Sequence, residues 1–256
     1  MNLKRMLTIA VCSGLVFGQP VFANSATVDS LGIELGMSPD QVLGQLKRIN
    51  PDFVIVQFNY ASEPGVPTAL GRIIACTPNM TRKGELCRSM NPRQEADQIL
   101  IAFGGSTGKA FFIRRQWRPA SDKLPLAATA TQPIFDKYGD LTTSGHETAR
   151  SSEGFSRVLQ RHTTIPGRKK SNCAVPLNGT VPGAAYDSMD ACEVSVGLRL
   201  LLVENPDRLR GFDLELFSPQ VLVEDAALSG TRREAEEQRK RKELEDAARP
   251  HGAPKL

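Results

Sequence analysis

Two apolar runs joined by a glycine-rich hexapeptide constrain this chain more than any other feature. Gln98-Ile99-Leu100-Ile101-Ala102-Phe103 leads into GGSTGK, and Ala110-Phe111-Phe112-Ile113-Arg114-Arg115-Gln116-Trp117 follows. Gly104–Gly108 fits G-x-S-x-G, which would make Ser106 a nucleophile. A nucleophile elbow requires strand, strained turn, then helix. The residues after Gly108 are aromatic and β-branched, a composition that extends rather than coils. Gly104, Gly105 and Gly108 supply the positive φ that tight turns use, so the segment predicts a β-hairpin. The alternative is an exported serine hydrolase, with Ser106 completed by Asp136 or Asp140 and by His146 or His162. A phosphate-binding loop would need glycine at position 103 and Ser or Thr at 110; Phe103 and Ala110 stand there instead.

Upstream, Leu35-Gly36-Met37-Ser38-Pro39-Asp40-Gln41-Val42 announces a helix start. Ser38 is the N-cap, Pro39 takes the first helical position, and Gln41 closes a capping box back to Ser38. Met37 and Val42 are spaced for a hydrophobic staple, Val42, Leu43, Leu46 and Ile49 share one face, and Asn50-Pro51 stops the helix. Strand-like runs follow at 53–60, 72–76, 98–103 and 110–117, separated by Pro/Gly/Asn-rich loops. The order then repeats loosely: a short helix over Gln132–Tyr138 ending at Gly139, a strand over 156–162, and a hairpin. In that hairpin Val194, Val196, Leu198, Leu200 and Leu202 alternate, Asn205-Pro206-Asp207 turns the chain, and Phe212, Leu214 and Leu216 alternate on the return. Arg114, Arg115 and Arg118 around Trp117 read as an edge strand kept soluble by arginine. The other reading of that group is a small basic-aromatic site.

The first 23 residues have the form of a secretory signal: Lys4 and Arg5, an apolar run from Met6 to Gly18, and Val21-Phe22-Ala23 before the expected cleavage. The apolar run is shorter than the roughly 20 residues a membrane helix needs. Cleavage removes two positive charges from a net of +4, leaving about +2, which argues against a nucleic-acid partner. Four cysteines remain, Cys76, Cys87, Cys173 and Cys192. An even count in an exported chain implies disulfides, and the local pairs Cys76–Cys87 and Cys173–Cys192 are expected. The chain has no C-x-x-C, and its histidines stand far from the cysteines in sequence, so no metal or other cofactor is expected. From Ser229 onward the composition turns to Arg, Lys, Glu, Gln and Ala. Pairs such as Glu236–Lys240 favour helix, yet no apolar face is present. This predicts a charged, partly helical or disordered tail, whose Arg239-Lys240-Arg241-Lys242 cluster is suited to weak contact with an anionic membrane surface.

The Leu35–Val42 stretch resembles the GM[ST]-x-x-x-V helix start of BamE/SmpA-like envelope proteins, and Leu100–Phe111 resembles their closing hairpin. The resemblance covers about 20 residues closely and is topological elsewhere; larger exported proteobacterial proteins with two such units are similar in organisation. It implies a capped helix followed by an antiparallel sheet, a binding role in the envelope, and no catalytic residues. The expected fold is α+β: two helix-plus-antiparallel-meander units in tandem, each with a local disulfide. The expected divisions are a signal peptide at 1–23, units at 24–120 and 121–228, and a tail at 229–256. The expected protein is periplasmic and non-enzymatic, has no membrane span after cleavage, and binds an envelope protein or component. An inhibitor or immunity protein is a further alternative.

Overall fold

The computed structural model describes residues 28–60, 69–80, 87, 94–138, 157–165, 194–203 and 208–248, with backbone alone for 157–165. Cleavage after Ala23, Gly139, Cys173, Cys192 and the Asn205-Pro206-Asp207 turn lie outside them. Along the chain come β1 (Asp29–Ser30), β2 (Ile33–Glu34), α1 (Pro39–Ile49), β3 (Val54–Asn59), β4 (Leu70–Cys76), β5 (Ala96–Phe103) and β6 (Ala110–Arg118). After these come α2 (Ala127–Tyr138), β7 (Arg157–Ile165), β8 (Val194–Leu202), β9 (Leu209–Phe217) and α3 (Pro219–Ala248). The protein is therefore α+β, with β3 to β9 in one antiparallel sheet ordered β3-β4-β5-β6-β9-β8-β7.

Local chemistry explains the elements. The Ser38 hydroxyl accepts from the Gln41 N–H, and the Gln41 side chain accepts from the Ser38 N–H at 2.9 Å. Those bonds satisfy groups that a helix start leaves unpaired. α1 ends at Asn50, whose extended backbone donates to Leu46. α2 begins at Ala127, five residues ahead of the expected Gln132. Alanines supply that extra turn, their helix propensity being the highest of any residue. α3 begins at Pro219, ten residues before the expected tail, so the boundary placed at 228 falls inside a helix. Its start repeats the Ser-Pro signature: the Ser218 hydroxyl accepts from the Val221 N–H.

Strand alternation gives the sheet two unlike faces. On one, Val42 and Leu46 of α1 and Ile134 and Tyr138 of α2 bury Ile99, Ile101, Phe103, Ile113, Leu198, Leu200, Leu214 and Leu216 in a single core. Each such side chain contributes about 1.5–3 kcal/mol by leaving water. The two expected units, 24–120 and 121–228, thus share one sheet and one core. On the opposite face, α3 covers Ala102, Phe112 and Phe217 with Val221 and Leu222. Near the far ends of β4 and β5, the Cys76–Cys87 disulfide packs with Met80 and Ala96.

The hairpins β5–β6 and β8–β9 have the same register, displaced by 99 residues. Ala96 faces Arg118 in one and Ser195 faces Phe217 in the other. Both slip between their last two pairs, at Ala102/Phe103 and at Leu201/Leu202. β6 and β9 then pair side by side, with Arg115 opposite Leu214.

Candidate functional site

The segment that sequence offers as catalytic, residues 104–108, is the turn between β5 and β6. The chain continues from it as strand, not helix. The Gly104 N–H donates to Lys109 and the Gly108 N–H to Gly104, both at 2.9 Å, with Gly108 at φ +64. α3 closes over this turn. Asp225 Oδ1 accepts from the backbone N–H groups of Ser106 and Thr107 at 2.7 Å each and from the Thr107 hydroxyl at 3.1 Å. Consecutive N–H groups converging on one anion form a nest, here filled from within the molecule. A side chain at Gly104 would collide with the Asp225 carboxylate. Arg232 donates to the Ser106 carbonyl at 3.2 Å, and Lys109 pairs with Glu224 at 3.4 Å. From the other side, the Tyr60 hydroxyl donates to the Phe103 carbonyl at 2.6 Å; burial first, and then Asp225, raise its pKa.

Of the residues weighed as partners for Ser106, Asp136 lies on α2, where its carboxylate accepts from Gln132. Asp140 and His146 lie outside the described residues. His162 belongs to β7, four strands from β5 in the sheet order, a backbone separation of about 19 Å. Sequence reading missed Asp225, which stands more than 100 residues from the turn. The signal available was Ser218-Pro219, which marks where a helix able to reach the turn begins.

The edge-strand reading of Arg114, Arg115 and Arg118 is corrected by the sheet order. β6 is the central strand, hydrogen-bonded to β5 and β9. An isolated run of strand-like residues carries no information about its neighbours, and these arginines are half-buried because each meets a carboxylate. Arg115 holds Asp97 with two donors on the face toward α1 and α2, and its guanidinium lies 5.4 Å from the Phe212 ring. On the other face Arg118 pairs with Asp213 at 2.7 Å, Arg199 also binds Asp213, and Arg114 approaches Glu215 at 3.5 Å.

Asp213 and Glu215 are 2% and 1% exposed, so their ionisation depends on these neighbours. Burial pushes the Asp213 carboxyl up, but Arg118 and Arg199, helped by Arg114, outweigh it and hold the group below its usual range. Glu215 goes the other way. Burial dominates, the negative Asp213 adds to it, and Arg114 offsets only part, so its pKa is raised to about 7. Glu215 Oε2, Arg199 Nε and the Ser195 hydroxyl have no hydrogen-bond partner among the described residues.

A cleft opens where α1 ends. It is open to solvent, has a volume of about 470 Å³ and is lined by Leu31, Ile49, Asn50, Phe53, Thr77, Glu95, Asp97 and Arg115. Glu95 accepts from Trp117 Nε1 at 2.7 Å. Leu31, at the tip of the β1–β2 turn, has φ +57 and is 37% exposed. That conformation costs a side-chain-bearing residue about 1–2 kcal/mol. The turn is fixed by Asp29, which accepts from the Gly32 N–H, and by Gln45, which donates to the Leu31 carbonyl.

Among the described residues no helix is long and apolar enough to cross a membrane. No protein-family model matches the chain, and no curated protein or solved structure matches it.

Proposed function

We propose that this chain is an exported, periplasmic, non-enzymatic protein that binds an envelope protein or envelope component through its sheet. Its core would be two helix-plus-meander units, and residues 229–256 a charged tail. The observation that carries the reading is the state of residues 104–108. The N–H groups of Ser106 and Thr107, donors of the kind an oxyanion would need, are consumed by Asp225. The shared register of the two hairpins supports the two-unit organisation. The likeness of residues 35–42 to BamE/SmpA-like proteins supports an envelope role.

The binding surface is the β3 end of the sheet. β3 bears no charged residue, and Phe58 and the adjoining Tyr60 are 40% and 44% exposed. Strands of this composition at a sheet end accept an added strand from another chain. The test is affinity capture from envelope extracts with the mature protein and with Phe58→Lys. A specific partner retained by the wild type and lost with Phe58→Lys is expected; no partner, or equal capture by both, counts against the reading. In parallel, fluorophosphonate labelling that disappears in Ser106→Ala would replace it with the serine hydrolase.

A further inference from the structure

We propose that the cleft at the end of α1 binds a small amphiphilic cation: an ammonium or guanidinium group on a short apolar body. This rests on the reading of the chain as a binder and names the ligand class of one site.

The cleft has the size of a small-molecule site, and its walls divide by chemistry. Leu31, Ile49 and Phe53 give an apolar side; Asn50, Thr77, Glu95 and the Asp97–Arg115 pair give a polar one. Among the described lining residues the charges leave a negative balance. Asp97 is matched by Arg115 at 2.7 Å. Glu95 is exposed, and among the described residues its carboxylate is held by the uncharged indole N–H of Trp117, which orients the charge without neutralising it. The carbonyl end of α1 adds the negative pole of the helix dipole. Lys47 and Arg48 sit in that last turn but are not among the lining residues, and Arg48 donates back to the Gly44 carbonyl. A cation therefore gains from Glu95, whereas an anion would face it; the helix pole is offset by Lys47 and Arg48.

Leu31 supplies the apolar half of the argument. Its left-handed backbone suits glycine or asparagine, and its side chain is partly exposed rather than sealed in the core. What the leucine adds over those residues is an apolar lip on the cleft, facing the same space as Ile49 and Phe53.

The test is an NMR shift titration of the mature protein with n-hexylammonium, with n-hexanoate as the matched anion. Saturable shifts of the Leu31, Asn50, Thr77 and Glu95 amides with the ammonium alone are expected. Glu95→Gln should weaken binding at least threefold. Leu31→Asn, which keeps the turn conformation, should weaken it at least twofold. Equal response to both ions, shifts scattered over the surface, or none at millimolar concentration would overturn the proposal. Binding of a blocked Phe-Lys dipeptide without binding of the free amine would also overturn it, by assigning the cleft to a protein partner. None of these outcomes depends on Phe58 or Ser106, so failure here is distinguishable from failure of the function proposed above.

Discussion

The hairpins β5–β6 and β8–β9 are the same object built from different residues. Six residues join the strands in each, the slip falls at the same place, and every pair is displaced by 99 positions. Yet between 96–118 and 195–217 no position carries the same amino acid. On the face toward α1 and α2 three core positions keep their kind, Ile99 becoming Leu198, Ile101 Leu200 and Phe103 Leu202, while the Asp97–Arg115 pair is replaced by Val196 and Leu214. On the other face they do not. Leu100, Ala102 and Phe112 lie in an apolar patch under α3, whereas Arg199, Asp213 and Glu215 of the second hairpin form a buried charge cluster. Register follows from alternation and loop length, because slipping by one residue would turn every core side chain to the wrong face. The chemistry of the second face is not constrained in that way, and there the halves diverge.

The sharpest test of that divergence is Asp213→Ala. It leaves the half-buried Arg118 and Arg199 without their shared, fully buried carboxylate, which costs about 3 kcal/mol. Urea unfolding measures it, and a loss below about 1 kcal/mol would mean the cluster is solvated. The common face is tested next by Ile101→Ala and Leu200→Ala, which empty corresponding positions of one core. Each should cost about 2–4 kcal/mol, with both variants unfolding in a single transition. Two separate transitions would break the shared-core comparison and make the halves independent domains.

The hairpins, the α1 cap and the Cys76–Cys87 pair were legible because each is written in neighbouring residues. Period-2 alternation specifies a strand, Ser38 and Gln41 specify a helix start, and two cysteines 11 residues apart close a small loop. Strand order was not legible. Nothing within Ala110–Trp117 says that β9, some 100 residues on, will lie beside it, so three arginines that suit an edge became the centre of the sheet. The beginning of α3 was legible and overlooked: Ser218-Pro219 repeats Ser38-Pro39, but the strong charge pattern after Ser229 drew the boundary instead. The cleft could not be read at all. Leu31, Phe53, Glu95 and Arg115 come from four separate segments, and only the path of the chain assembles them.

Within the charge cluster, Glu215 gives a pH signature that the first hairpin lacks. In the unfolded chain its carboxyl has its ordinary value of 4.5, while in the fold burial raises it to about 7. Between those values the native state holds a proton that the unfolded state has released. Its contribution to stability is therefore complete below 4.5 and is lost as pH rises through about 7. Glu215→Gln stays neutral throughout. Wild type relative to this variant should lose on the order of 2–3 kcal/mol between pH 5 and 8. A wild type that instead gains on the variant over that range would mean Arg114 ionises Glu215 fully.

The smallest effect expected belongs to the turn of the first hairpin, and it separates backbone from side chain. Asp225→Ala removes the acceptor for two amides and a hydroxyl in the 104–109 turn, leaving half-buried donors to find water. A cost of about 1–2 kcal/mol follows. Asp225→Asn keeps a side-chain oxygen and should lose less than half of that. Ser106→Ala keeps the amide that Asp225 binds and should fall within about 0.5 kcal/mol of wild type. If Ser106→Ala proves as costly as Asp225→Ala, the serine hydroxyl has a role that its backbone does not explain. The turn would then be more than the place where α3 fastens onto the sheet.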